Sequence, residues 1–297
     1  MRVLVLGAAG FVGRNILVGL KDSEFEIISS DIVDLDSNTR HIKVNITDLE
    51  DIKKIVNGVD IVVHLAVHSL TASFKDSLMN ANVNIMGTLN ILEAARLSNV
   101  KKVIFTSASS IIGNVDYSPV DESHSCTPKT PYAITKLAAE HYLRIYQELY
   151  GLNYVIFRFF NIYGPYQTEG LIPILHKRLS SKQPIDIYGA GSQIRDYVFI
   201  KDVVPFFHRA INDESVKNML LNIGTGKGTS VIEIVNTAAK ILDVKPNMNF
   251  QPARKGEIDN YIADVNLLKS VFGKVPSTTV EDGLKDTFAW LKSSSFP

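Results

Sequence analysis

The sequence predicts a doubly wound α/β fold, a parallel sheet with helices on both faces, followed by a smaller α/β lobe. Short apolar runs alternate with longer amphipathic stretches through the first half of the chain. That is the pattern of parallel strands joined by crossover helices. A glycine turn, Gly7-Ala8-Ala9-Gly10-Phe11-Val12-Gly13, directly follows the first apolar run, and an acidic residue, Asp31, ends the second. Strand, glycine turn, helix and a later carboxylate form the context of a dinucleotide-binding loop.

The elements follow in order. Residues 2–6 read as a buried strand, and residues 15–20 carry the apolar pattern of the next helix. Of the three glycines, one makes the tight turn, one lets the backbone approach a pyrophosphate, and one lets helix pack on strand. The N–H groups at the helix start, with the helix dipole, favour phosphate charge. Residues 25–30, 41–44, 61–65, 103–106 and 154–158 read as further strands. Residues 48–56, begun by the cap at Thr47-Asp48-Leu49-Glu50, read as a helix, as do 83–96 and 132–150. Gly151 is a normal helix stop. After Gly164-Pro165 segments shorten and polar loops multiply. Strands are expected at 185–188, 196–199 and 219–223, and helices at 201–212 and 231–242. The first domain is therefore placed at 1–165, with 200–225 returning to it, and the second lobe at 166–297.

Composition narrows the function. At 297 residues, 45% hydrophobic and 21% charged, the chain can bury a large core and reads as soluble and globular. Basic and acidic residues balance at 31 each, which argues against a general nucleic-acid or membrane surface. Cys126 is the single cysteine, so no intrachain disulfide forms, which suits a reducing compartment. No apolar run reaches the ~18 residues of a membrane span. The apolar start lacks a basic stretch before it and runs into the glycine loop, unlike a signal peptide. A cytoplasmic protein is expected, with no metal site.

Tyr132 and Lys136 stand four apart in Pro131-Tyr132-Ala133-Ile134-Thr135-Lys136 and share a helix face. A free phenol, with a pKa of about 10, is a poor base at neutral pH. A neighbouring ammonium favours the phenolate, and a positively charged nicotinamide pushes the same way. The pair makes an acid–base group beside a hydride acceptor. His64 ends a buried strand and reads as a core histidine, and Arg158 as a structural residue.

The ordered set Gly7-x-x-Gly10-x-x-Gly13, Asp31, His64-Leu65-Ala66, Asn84-x-x-Gly87-Thr88, Tyr132-x-x-x-Lys136 and Arg158-x-x-Asn161-x-Tyr163-Gly164-Pro165 resembles the extended short-chain dehydrogenases/reductases of the nucleotide-sugar epimerase/dehydratase family. Arg195-Asp196-Tyr197, Asn222-Ile223-Gly224-x-Gly226, Arg254-x-Gly256-Glu257, Tyr261 and Ala263-Asp264 are similar to that family's substrate-side motifs. The resemblance runs nearly end to end. It implies a Rossmann-type NAD domain with a smaller substrate lobe. Phe11 and Val12 would touch the pyrophosphate, and Asp31 would accept from the adenosine ribose, favouring NAD over NADP. Asn45 and Ile46 would lie beside the adenine, where family members usually show Asp-Ile. Leu65, Ala66, Val83 and Asn84 would line the cofactor, and Lys136 would reach the ribose. Phe160 would sit near the nicotinamide, and Asn161, Arg195 and Arg254 would hold the substrate's diphosphate. Tyr261 would narrow the pocket near the sugar C2 substituent. The resemblance also implies a homodimer paired through helices 83–96 and 132–150.

One stretch departs from the family pattern. Thr106-Ser107-Ala108 places an alanine where the family's third Ser/Thr bonds the reacting sugar hydroxyl, and Ile112 replaces the tyrosine of Val-Tyr-Gly. Ser107 or Ser109 would substitute if the turn is shifted. Ser109-Ser110 stands where dehydratases and decarboxylases of the family carry an acidic residue. The expected activity is C4 epimerisation of a UDP-hexose through a transient 4-keto sugar. A nucleotide-sugar reductase, a 4,6-dehydratase and an inactive NAD-binding regulator remain the alternatives.

Overall fold

The computed structural model of the chain describes residues 1–37, 39–253 and 259–293. They form two compact units. The first gathers Met1–Asn114, Ser125–Phe159 and Val204–Leu221. The second gathers Val115–His124, Phe160–Val203 and the described residues from Asn222 onward.

In the first unit β1 (Arg2–Leu6), α1 (Phe11–Leu20), β2 (Glu26–Asp31), β3 (Arg40–Lys43), α2 (Leu49–Val56) and β4 (Ile61–His64) come first. After α3 (Leu70–Ser73), α4 (Ser77–Ala81) runs through a π turn, Asn82–Met86, into α5 (Gly87–Leu97). Then follow β5 (Lys102–Ala108), a 3₁₀ turn at Ser109–Ile111, α6 (Pro131–Tyr150) and β6 (Asn153–Phe159). The sheet order is β6-β5-β4-β1-β2-β3, each pair parallel, with Met219–Ile223 beside β6. Winding reverses between β1 and β4. A crevice opens at the carboxyl ends of strands at such a reversal.

Local chemistry sets the element ends. All four residues of β4 are buried, as a parallel strand covered on both faces requires. The Asp48 carboxylate accepts from Asp51 N at 3.1 Å, so α2 starts one residue later than the sequence suggests. On α6 the Thr130 hydroxyl accepts from Ala133 N at 3.1 Å and Pro131 takes the first position. Gly151, at φ +71°, ends that helix. Ala139 and Leu143 of α6 join Val103, Phe105 and Ile156 of the sheet in one apolar core.

The expected helix at 83–96 differs in its first turn, which is π-helical. Asn84 lies in this wide turn, 3% exposed, with its amide donating to His68 O at 3.1 Å and Thr135 Oγ1 at 3.0 Å. An inward polar residue at that place interrupts the apolar period. His64 is buried beside it. Its Nε2 meets Thr88 Oγ1 at 2.9 Å, and that hydroxyl donates to Asn84 O at 2.7 Å. The ring nitrogen must then be the donor, which leaves Nδ1 as a bare acceptor without a partner.

The second unit packs helices Leu171–Ser180, Val231–Ile241 and Val280–Ser293 around a core that includes Leu175, Val235, Ala238, Leu284 and Phe288. Its strands are short. Asn161–Tyr163 pairs with Tyr197–Phe199, and Ile194–Arg195 lies between Thr229–Ser230 and Asn260–Tyr261. The helix Leu171–Ser180 carries Pro173 in its first turn, where the missing N–H has no helical partner to lose. That proline hid the helix from the sequence pattern.

Gly7 sits at φ +81°, and a Cβ there would lie 2.5 Å from Ala66 N. Gly7→Ala is expected to cost about 2 kcal/mol or more, read as a lower urea midpoint; an unchanged midpoint would show that the turn relaxes. Burial, reinforced by the Lys136 charge, pushes the His64 imidazole down from 6.5 to about 3. The unfolded chain therefore takes up a proton below 6.5 that the folded chain refuses. Stability from this group is complete above pH 6.5 and falls as pH drops toward 3. Between pH 7 and 5 the wild type is expected to lose about 2 kcal/mol more than His64→Gln in chemical denaturation. Parallel losses in the two proteins would refute this.

Candidate functional site

The glycine turn folds back on its own backbone. Gly7 N and Ala8 N both donate to Ser30 O, at 2.9 and 3.1 Å. A Cβ on Gly13 would stand 2.3 Å from Gly7 O, so the start of α1 lies directly against the turn. Asp31 ties the turn to β2: its Oδ2 accepts from Ala9 N at 2.9 Å and its Oδ1 from Ile32 N at 2.7 Å. Beside them lies a cavity of about 590 Å³. Gly7, Gly10, Asp31, Asn45, Ile46, Leu65, Ala66 and Val83, all expected at the cofactor, line it. Ile32, Val33, Val44 and Val67 add apolar wall.

These residues suit a dinucleotide. The glycines allow the close backbone packing of the turn, the apolar walls suit an adenine, and Asp31 offers acceptors for ribose hydroxyls. No lysine or arginine is among the described residues lining the cavity, so nothing there balances a 2′-phosphate. Phe11, Val12 and Gly13 form the first turn of α1 and are not among the lining residues. Asn84 is also off the wall. Its Oδ1 accepts from His68 N at 2.8 Å, so it braces the loop after β4. Asn45 is exposed, and its Oδ1 accepts from Thr47 N at 3.1 Å.

The acid–base pair stands at the start of α6. Lys136 is 3% exposed, donates from Nζ to Thr106 O at 2.7 Å and lies 4.4 Å from the centre of the Phe105 ring. Its Nζ is 5.9 Å from the centre of the Tyr132 ring. Burial drives the ammonium down to about 7, against an opposing pull from Glu140. Burial also pushes the Tyr132 phenol up to about 12. The expectation that Lys136 lowers this phenol is therefore corrected for the protein alone. The ammonium is turned to a carbonyl and a ring, and desolvation wins. At neutral pH the resting phenol is protonated.

Strand geometry continues through Ala108, at φ −138° and ψ 141°, which pairs with Phe159. Ser107 stays in register with Arg158, and its hydroxyl is enclosed without a hydrogen-bond partner. By the pleat, Ser107 shares a face with Val103 and Phe105, the face that meets α6. The Ser110 hydroxyl is enclosed in the same way.

In the second unit Phe160, Asn161, Arg195 and Tyr261 come together around Asp196. Asp196 O accepts from Asn161 N at 3.0 Å and Asn161 Nδ2 at 3.3 Å, and Asp196 N donates to Tyr261 O at 3.2 Å. Its carboxylate accepts from Thr225 Oγ1 at 2.6 Å, Thr225 N at 2.9 Å and Gly226 N at 3.0 Å. The rings of Phe160 and Tyr261 lie 5.2 Å apart. Asp196 is thus the hub of this cluster, a role its place between Arg195 and Tyr197 did not reveal. Arg254 lies outside the described residues. No helix among the described residues is long and apolar enough to cross a membrane.

Known proteins resemble the chain over nearly its whole length. Residues 3–224 match the model of the NAD dependent epimerase/dehydratase family. The chain is 31% identical to a putative UDP-glucose 4-epimerase of Methanocaldococcus jannaschii over 99% of each. The solved structure of a UDP-glucose 4-epimerase with UDP-glucose from Thermotoga maritima superposes with a TM-score of 0.93, at 31% identity and 99% coverage of both chains. A dTDP-glucose 4,6-dehydratase of Haemophilus influenzae is 28% identical, over 99% of each. With the glycine turn, Asp31 and the Tyr132–Lys136 pair in place, these matches show that the chain belongs to the NAD-dependent epimerase/dehydratase family.

Proposed function

We propose that the protein is an NAD-dependent epimerase of a nucleotide sugar, inverting C4 of a UDP-hexose. The observation that carries this is the Tyr132–Lys136 pair on α6 beside a β5 turn, Ser109–Ile111, that contains no carboxylate. Eliminating water across C5 and C6 of a sugar needs added acid–base groups, and this turn offers none. Inverting a carbinol needs one group that takes a proton and returns it. Relatives named as UDP-glucose 4-epimerases support the choice, while the Haemophilus influenzae dehydratase marks the neighbouring chemistry.

NAD, when bound, supplies the hydride acceptor and a positive charge that favours the Tyr132 phenolate. Backbone N–H groups at Gly10, Phe11, Val12 and Gly13 would hold its pyrophosphate, and Asp31 its adenosine ribose. Gly7, Asn45, Ile46, Leu65, Ala66 and Val83 would form its walls, with Asn84 bracing them and Phe160 toward the nicotinamide. Tyr132 takes the C4 hydroxyl proton and later returns it to the opposite configuration. Lys136 orients the ribose and supplies positive charge. Asn161, Arg195 and Arg254 are assigned to the substrate diphosphate and Tyr261 to the sugar.

The same reading makes the protein a cytoplasmic homodimer. Ile134, Ile145 and Leu149 of α6 are exposed, as are Leu78 of α4 and Met86 of the π turn, and a second copy of these helices would cover them. A wild-type dimer and a monomeric Ile145→Glu/Leu149→Glu variant are expected in sedimentation; a monomeric wild type overturns the assignment. Incubation with UDP-galactose and NAD should yield UDP-glucose without accumulating NADH. Tyr132→Phe should lower kcat by about 100-fold or more. Absence of C4 inversion with any common UDP-sugar would overturn the activity.

A further inference from the structure

A buried charge row lies next to the acid–base pair, and no step above uses it. Glu140 follows Lys136 by one turn of α6 and shares its face. Arg158 of β6 donates from Nε to Glu140 Oε1 at 3.2 Å and from Nη2 to Oε2 at 2.8 Å. Both side chains are 2% exposed. Stability is a weak reason to keep such a pair, because desolvating two ions offsets most of their attraction.

Lys136 gives a better reason. Its ammonium meets a carbonyl and an aromatic ring, neither of which carries a full negative charge. From α6 it faces Tyr132 and Glu140. From β4 it faces His64, whose imidazole is neutral. Arg158 approaches from β6 through Glu140, and Cys126 feels both members of the pair. Among the described residues Glu140 is the carboxylate that acts on Lys136.

We infer that the Glu140–Arg158 pair is a positioning device for Lys136: Glu140 keeps the ammonium charged, and Arg158 pins Glu140 to the sheet. The inference rests on Lys136 belonging to the catalytic pair, but it concerns the charge of that lysine and not turnover. The two partners act with opposite sign. Glu140→Gln removes the negative charge and leaves the positive one, so Lys136 loses its proton at lower pH. Arg158→Met removes the charge that tempers Glu140, so Lys136 keeps its proton to higher pH. A purely structural pair would weaken the fold in both variants and leave the titration alone.

Carbon NMR of protein labelled at lysine Cε reads this directly. The Lys136 signal is the one lost in Lys136→Met, and with the ammonium pushed down to about 7 by burial it is expected to titrate apart from the surface lysines. Glu140→Gln is expected to lower its midpoint by about one pH unit and Arg158→Met to raise it. Glu140→Asp, which keeps the charge, should stay near the wild-type midpoint. If a single variant fails to fold, Glu140→Gln/Arg158→Met buries no unpaired charge and should still show a lowered midpoint, because Glu140, one turn along the same helix, is the charge that acts on Lys136. An unchanged midpoint in Glu140→Gln or in the double variant, or shifts of the same sign in the two single variants, overturns the inference. Inactivity toward UDP-sugars would instead count against the proposed reaction alone.

Discussion

Where β1 ends, three stretches of main chain approach more closely than any side chain allows. Gly7 lies against Ala66 at the end of β4, and Gly13 at the start of α1 lies against Gly7. The contact is backbone on backbone, so it fixes the start of α1 against the ends of β1 and β4. Asp31 completes it by taking Ala9 N–H with its carboxylate. A residue expected to read a ribose is therefore also the brace of the loop that would hold the phosphates.

A second constraint acts on charge. Burial drives the Tyr132 phenol toward its protonated form and the Lys136 ammonium toward neutrality. The pair at rest is thus less polarised than a reading of the two residue types suggests. Electrostatic work at this place falls to what surrounds the pair: Glu140 along the helix and whatever positive charge a ligand brings. Asn84 shows the same economy of position. It joins His68 of the loop after β4 to Thr135, the residue before Lys136, so two hydrogen bonds tie that loop to the start of α6.

Much of this was legible because it obeys local rules. The glycine spacing after a short apolar run, the carboxylate at the end of β2, and the four-residue step from Tyr132 to Lys136 are all visible within a few residues. The strands Ile185–Tyr188 and Met219–Ile223 fall where their apolar runs placed them. What escaped depends on distant partners. Asp196 gathers Asn161, Thr225 and Ala263 from far along the chain. Asn84 reads as a polar interruption in a helix until Thr135 and His68 are beside it. The helices α3 and α4 are too short for periodicity, and Pro173 masks the start of another. The spacing of Tyr132 and Lys136 shows their shared helix face and the charge of the lysine, but sequence does not show desolvation.

The chain crosses between its two units repeatedly: Val115–His124 leaves the first, Ser125–Phe159 returns, and Val204–Leu221 returns again. On the ribosome this has a price in time. β6 is made by residue 159, yet Met219–Ile223, its neighbour in the sheet, emerges some sixty residues later. Until then the nascent sheet presents an open edge of unpaired N–H and C=O groups, the kind of edge that recruits foreign strands. A pause in translation between those points would prolong the exposure of that edge, and neither unit can be released early by cutting the message at a single place.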